Sequence, residues 1–256
     1  MSTGSQNNSH DLEFWEKRAP SFANHAGKTH YPNEFLKLMN LGPEMTILDM
    51  GCGGGALAVP LAAKVKKITA VDFSPNMLSI VGHICREQNI TNIEPILGEW
   101  DSDWAALGIG KYDIAIASRS LRTENCVPYI QKLINAARRQ VFISAPEGNG
   151  PLDMKLLEFA GRETSVKADY RQFMEVFQDM GIRANISFIE ENHTNGWPTF
   201  DEAVEGQKWM FFGMTPDEEK KIRLYLERNL IQKDGMVQLQ YERTCRWAIM
   251  WWDMPY

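Results

Sequence analysis

Up to about residue 150, short apolar runs alternate with stretches of helical spacing. The runs at 46–50, 68–73, 93–97, 112–118 and 140–145 suit strands covered on both faces of a parallel sheet. Between them, 56–64, 76–88 and 127–137 carry helical patterns. The second of these opens with Ser74-Pro75, a capping hydroxyl followed by proline at the first helical position. Repeated strand–helix alternation predicts a doubly wound α/β sheet with right-handed crossovers and helices on both faces.

The last third breaks this rhythm. A helical stretch at 170–180 ends at Gly181, and 184–190 has strand character. A long interruption at 195–234 is rich in helix formers, with Ile222, Leu226 and Leu230 repeating at helical spacing. The tail at 237–252 alternates polar residues with Leu, Tyr and Trp and reads as β-rich. With no internal repeat and no low-complexity linker, one domain over 41–256 with a helical insertion at about 195–234 is the simplest organisation.

Composition narrows the classes. With 44% apolar and 23% charged residues, large-scale disorder is excluded. A net charge of −6 disfavours nucleic acid as a partner, because phosphate binding needs concentrated basic surface. The basic clusters here (Lys64, Lys66 and Lys67; Arg138 and Arg139) are short. Cys52, Cys85, Cys126 and Cys245 lie far apart, without the spacing of a metal site or a disulfide framework, so no metal is expected. The apolar runs fall short of the roughly 20 residues of a membrane span. The opening MSTGSQNNSH is polar and carries no signal-peptide pattern, so the expected compartment is the cytoplasm.

The sharpest chemical signal is Asp49-Met50-Gly51-Cys52-Gly53-Gly54-Gly55, directly after the first strand. Glycines there permit positive φ and let a ligand approach the main chain without meeting a Cβ. Gly51, Gly53 and Ala56 also match the GxGxxA spacing of dinucleotide-binding folds, and Asp72, at the end of the second strand, could serve ribose hydroxyls in either case. Asp49 discriminates. Its charge would repel a pyrophosphate but is compatible with an ammonium and a sulfonium.

These residues, with Val71-Asp72-Phe73-Ser74-Pro75-Asn76-Met77, resemble the first two motifs of the class I S-adenosylmethionine-dependent methyltransferases. The resemblance runs through Ser118 and implies a seven-stranded Rossmann-like sheet ending in an antiparallel strand. It implies that Gly51, Cys52, Gly53 and Gly55 line the methionyl and ribose part of S-adenosylmethionine, with Asp49 beside them. Asp72 and Ser74 would serve the ribose, while Phe73 and Met77 would flank the adenine. Gly98 and Glu99 would sit at the adenine amino group, with Trp100 as an aromatic wall or a packing residue. The product would be S-adenosylhomocysteine. In similar enzymes a segment like 1–40, here with Phe14, Trp15 and Phe22, covers the cofactor as a helical lid, and Tyr31 reaches the methionyl end. Where nucleobase and glutamine methyltransferases carry Asn-Pro-Pro-Tyr, this chain has Ser118-Arg119-Ser120-Leu121, which disfavours those acceptors.

Methyl transfer from a sulfonium is a displacement on an already activated carbon, so no catalytic triad is expected. Rim candidates are Ser118, Arg119, Glu147, Glu191 and His193, at strand ends. His193 could act as a base and Arg119 could hold an acidic acceptor; a solvated loop histidine and a structural ion pair are the plain alternatives. The insertion is rich in aromatics and methionine (Trp197, Phe200, Trp209, Met210, Phe211, Phe212), which suits core packing, an apolar acceptor pocket or a homodimer contact. A small-molecule acceptor is the favoured reading. An RNA or protein methyltransferase, and a silent cofactor-binding module, are the alternatives.

Overall fold

The computed structural model describes residues 29–122, 124–162, 169–193, 196–211 and 213–255. The segment at 14–22 expected to form a lid, Phe212 and the side chain of His193 lie outside this description. The chain divides into two compact units. The first takes the chain up to Ala145, Tyr170–Ile189 and the chain from Ala248; the second takes Pro146–Asp169 and Glu190–Trp247.

The first elements are α1 (Tyr31–Lys37), β1 (Thr46–Met50), α2 (Ala58–Ala62), β2 (Lys67–Asp72), α3 (Pro75–Glu87), β3 (Ile93–Leu97) and β4 (Tyr112–Ser118). They are followed by α4 (Val127–Ala136), β5 (Ala137–Pro146), α5 (Met154–Ala160), α6 (Tyr170–Asp179) and β6 (Asn185–His193). The chain then forms β7 (Gly196–Trp197), α7 (Phe200–Glu205), a 3-10 turn at Lys208–Met210, α8 (Pro216–Asn229), β8 (Leu230–Lys233), β9 (Met236–Leu239) and β10 (Arg243–Asp253).

A seven-stranded sheet runs β3-β2-β1-β4-β5-β10-β6. From β3 to β5 the registers advance together along neighbouring strands, so this stretch is parallel. Bonds from Met254 N to Arg139 O and from Glu147 N to Arg246 O pair rising with falling numbers, so β10 runs against β5. β1 and β4 are buried almost throughout, as their apolar runs require, and Leu48, Ala115, Ile143, Phe173 and Met250 meet in one core. Asp113 sits at the start of β4 and accepts both the Thr46 N–H and its hydroxyl, so a charge at the sheet's edge is satisfied locally.

The structure differs from the sequence pattern in four places, and the first three have local causes. α2 is shorter than the expected 56–64, because the glycine turn consumes the residues up to Leu57. β5 starts at Ala137 rather than 140: Arg138 and Arg139 interrupt the apolar run but are exposed where the register with β4 is irregular, between its pairings at Ala137 and Gln140. In the second unit, α5 was not expected, although Asp153 caps its first turn and Gly161 ends it at φ +85°. The 195–234 segment is helical in α7 and α8, but β7 and β8 join β9 in a separate sheet ordered β7-β9-β8. The second unit packs its own core around Leu156, Val204, Phe211 and Leu226. Among the described residues no helix is long and apolar enough to cross a membrane.

Candidate functional site

The glycine turn is built by β1 and β2 together. Gly51 and Cys52 both donate to Val71 O, at 2.8 and 3.0 Å, so the chain leaving β1 folds over the end of β2. Gly51, Gly53 and Gly55 all have positive φ (74°, 53° and 85°), the region where glycine carries no steric penalty. Their surroundings differ. A Cβ on Gly51 would stand 2.3 Å from Ser120 Cβ, whereas one on Gly53 would meet nothing within 4 Å. The first glycine is therefore required by packing, and the second leaves main chain open to a ligand.

Asp72 closes β2 and is buried. Its Oδ2 accepts the Gly53 N–H at 2.8 Å and its Oδ1 accepts the Ser74 N–H at 3.0 Å. The Ser74 hydroxyl caps α3 by accepting from Met77 N at 3.1 Å. Gly98 joins the same cluster, donating to Asp72 O at 3.0 Å. Met77 is buried and Phe73 half-buried beside it in sequence.

Asp49, the fourth of the five β1 positions paired with β2, is 2% exposed, and its Oδ2 has no hydrogen-bond partner. Burial first, and then the charge of Asp72, push its carboxyl up to about 7. The same burial and the same two carboxylates raise the Cys52 thiol well above its ordinary range. This end of the sheet holds two buried carboxyl groups, and a positively charged ligand would relieve the strain between them.

A second cluster lies at the ends of β4 and β5. The fully buried Tyr31 brings its hydroxyl within 2.8 Å of Ser118 Oγ and 2.7 Å of Ser144 Oγ. Arg119 sits at φ +57° with its N–H bonded to Ser144 Oγ at 3.0 Å, and its guanidinium lies 3.9 Å over the Tyr31 ring. Ser120 links the two clusters, donating its hydroxyl to Met50 O at 2.7 Å. Ser120 and Ser144 were not singled out in the sequence. Ser144 did leave a trace, as a polar residue inside the apolar run Val141-Phe142-Ile143, whereas Ser120 is visible only through its long-range contact with Gly51.

The remaining expected residues divide. Glu99 is exposed, with its main-chain N–H held by Ser102 Oγ. Trp100 is half-buried, donates from Nε1 to Ser120 O at 3.3 Å and packs against Trp104 and Tyr129. Glu147, Glu191 and His193 belong to the second unit. There Glu147 pairs with Arg246, and the buried Glu191 accepts the Trp247 indole N–H at 2.8 Å. His193 closes β6.

Residues 47–141 match a family model described as a methyltransferase domain. An uncharacterised protein of Haemophilus influenzae is 26% identical over 94% of this chain and 88% of its own length. The ubiquinone biosynthesis O-methyltransferase of Rickettsia conorii is 32% identical, but the match covers 40% of this chain and 34% of that enzyme. Among solved structures, a phosphoethanolamine N-methyltransferase of Haemonchus contortus, bound to phosphomonomethylethanolamine and S-adenosylhomocysteine, superposes with a TM-score of 0.53 at 16% identity. That likeness covers 89% of this chain and 53% of the other.

Proposed function

Because the chain belongs to the class I S-adenosylmethionine-dependent methyltransferases, we propose that it transfers the cofactor's methyl group to a small-molecule acceptor by in-line displacement. The observation that carries this reading is Asp49: a buried carboxylate, lacking a partner at Oδ2, beside the charge of Asp72, which itself holds the N–H of the open Gly53 main chain. Such a pair would repel a pyrophosphate and favours a ligand bearing an ammonium and a sulfonium.

On this reading Gly51, Cys52, Gly53 and Gly55 carry the methionyl and ribose portion, and Asp72 accepts from the ribose while it holds the loop. Phe73 and Met77 flank the adenine, Glu99 receives its amino group and Trp100 walls it. Tyr31, through Ser118, shapes the methionyl end. When bound, the cofactor supplies a methyl group on a positively charged sulfur. The protein's part is to align the acceptor with that carbon and to keep water out. Arg119, over the Tyr31 ring, is the group proposed to position an acidic acceptor; the base proposed from the sequence, His193, has its side chain outside the described residues.

A small acceptor is supported by the net charge of −6 and by the short basic clusters, which suit a nucleic acid poorly. The aromatic residues of the segment at 195–234, Trp197, Phe200 and Phe211 among them, pack in the second unit's own core. The acceptor role divides from the cofactor role along the chain: the cofactor motifs fall between Asp49 and Trp100, leaving the strand ends and the insertion for specificity. Calorimetry with S-adenosylhomocysteine and with NAD tests the reading. Binding of the first and not the second is expected, and the reverse result overturns it.

A further inference from the structure

A cavity of about 190 Å³ opens in the second unit, between the turn leading into α5 and the start of β10. Its lining mixes Leu152 and Met154 with Asp153, Lys155, Tyr241 and Arg243. The polar residues are not equally free. Asp153 is buried and committed: Oδ1 accepts the Leu156 N–H at 3.2 Å, and Oδ2 accepts the Tyr241 hydroxyl at 2.6 Å. Tyr241 is held in turn by Tyr225, whose hydroxyl lies 2.7 Å away.

Arg243 is the group left over. Its Nη1 lies 3.8 Å from Asp153 Oδ2, an ion pair beyond hydrogen-bond reach. Its Nε and Nη1 are shut off from solvent and donate to nothing among the described residues. Lys155 is exposed at the same cavity, with its ammonium 4.4 Å over the Tyr241 ring. Glu242 also borders the cavity, but it is exposed and its charge is solvated. Among the lining side chains described, the buried polar atoms without a hydrogen-bond partner are donors, Nε and Nη1 of Arg243. Buried N–H groups left without acceptors are costly, and a charged acceptor recovers the most.

We propose that this cavity binds the carboxylate of a small organic acid, with Arg243 taking the charge, Lys155 assisting at the mouth, and Leu152 and Met154 receiving a short apolar body. Size supports the class. The volume lies below the roughly 300 Å³ at which drug-sized pockets begin, yet equals the share of about six waters at ~30 Å³ each. A carboxylate with a compact stem fits; a nucleotide does not. The acid is a free small-molecule ligand of the second unit, and its chemistry is that of a regulator.

Calorimetry and thermal melting of the full chain with benzoate, set against the neutral and similarly shaped benzamide, test the proposal. Benzoate is expected to bind and to raise the melting temperature, and benzamide to do neither. Arg243→Gln should abolish benzoate binding. Lys155→Gln should weaken it several-fold, and because Lys155 is exposed this variant remains informative if Arg243→Gln does not fold. A wild-type protein that ignores benzoate, an equal response to benzamide, or unchanged benzoate binding in Lys155→Gln overturns the proposal. S-adenosylhomocysteine affinity in the same samples reports on the cofactor reading separately.

Discussion

Asp72, at the end of β2, holds the Gly53 N–H at 2.8 Å in the turn that leads from β1 into α2, so the carboxylate and the glycine loop form one hydrogen-bonded unit. A ligand that uses Asp72 is thereby coupled to the loop's conformation. Substitution there touches two things at once: the bonds Asp72 offers a ribose and the bonds it already makes to Gly53 and Ser74.

The expected consequence is separable. Asp72→Asn retains one amide oxygen, which can satisfy Gly53 or Ser74 but not both with the geometry seen here. It also loses the charge that strengthens each bond. S-adenosylhomocysteine affinity should fall by about 1.5–3 kcal/mol, the range for hydrogen bonds to charged groups, and the melting temperature should fall as well. Calorimetry and thermal melting on the same preparation check both. Unchanged affinity in a folded variant would remove Asp72 from the cofactor site.

The glycines allow a sharper comparison. In Gly51→Ala the new methyl meets Ser120 at a distance no real Cβ tolerates, on a backbone at φ +74°. Ser120 is itself pinned to Met50 O, so the fold must yield. In Gly53→Ala the methyl enters open space, and only the left-handed backbone is penalised, by roughly 1–2 kcal/mol. Gly51→Ala should therefore act mainly on the melting temperature. Gly53→Ala should act mainly on cofactor affinity, because its methyl fills the space above the exposed main chain. Equal effects of the two on stability would mean that the loop's glycines serve the turn alone.

This asymmetry also marks how far the sequence carried. Four glycines after an apolar run locate a ligand-binding turn, because the backbone requirement is local and glycine answers it directly. The bounds of β1 and β4 follow equally well, since strands buried on both faces leave continuous apolar runs; β3 has the expected bounds but not the expected two-face burial, because it is an edge strand with Glu94, Pro95 and Leu97 exposed. What the pattern hides is long-range. The packing demand on Gly51 comes from Ser120, and the seat of the Tyr31 hydroxyl comes from Ser144, more than a hundred positions away. Of the small β7-β9-β8 sheet, β9 falls in the tail from 237 that reads as β-rich, whereas β7 and β8, of two and four residues, are too short to show a period.

Asp49 gives the last prediction, in which pH acts on stability and on binding in opposite directions. Its carboxyl stands at about 7 in the folded chain against an ordinary 3.8. The folded state therefore holds a proton that the unfolded state has already released. The stability this proton contributes is complete below about pH 4, falls as pH rises and is gone above about pH 7, a swing on the order of 4 kcal/mol at most. Binding runs the other way. A ligand carrying an ammonium and a sulfonium gains from the ionised form, so S-adenosylmethionine affinity should climb as pH passes through 7 and level off above it. Asp49→Asn cannot ionise, and it should flatten this group's share of both curves. Melting temperatures of the cofactor-free protein and calorimetric affinities, each at pH 5, 6, 7 and 8, provide the check. A wild type and an Asn variant with parallel affinity profiles would show that Asp49 does not meet the cofactor's charge, and the site would then need another basis for preferring a cation.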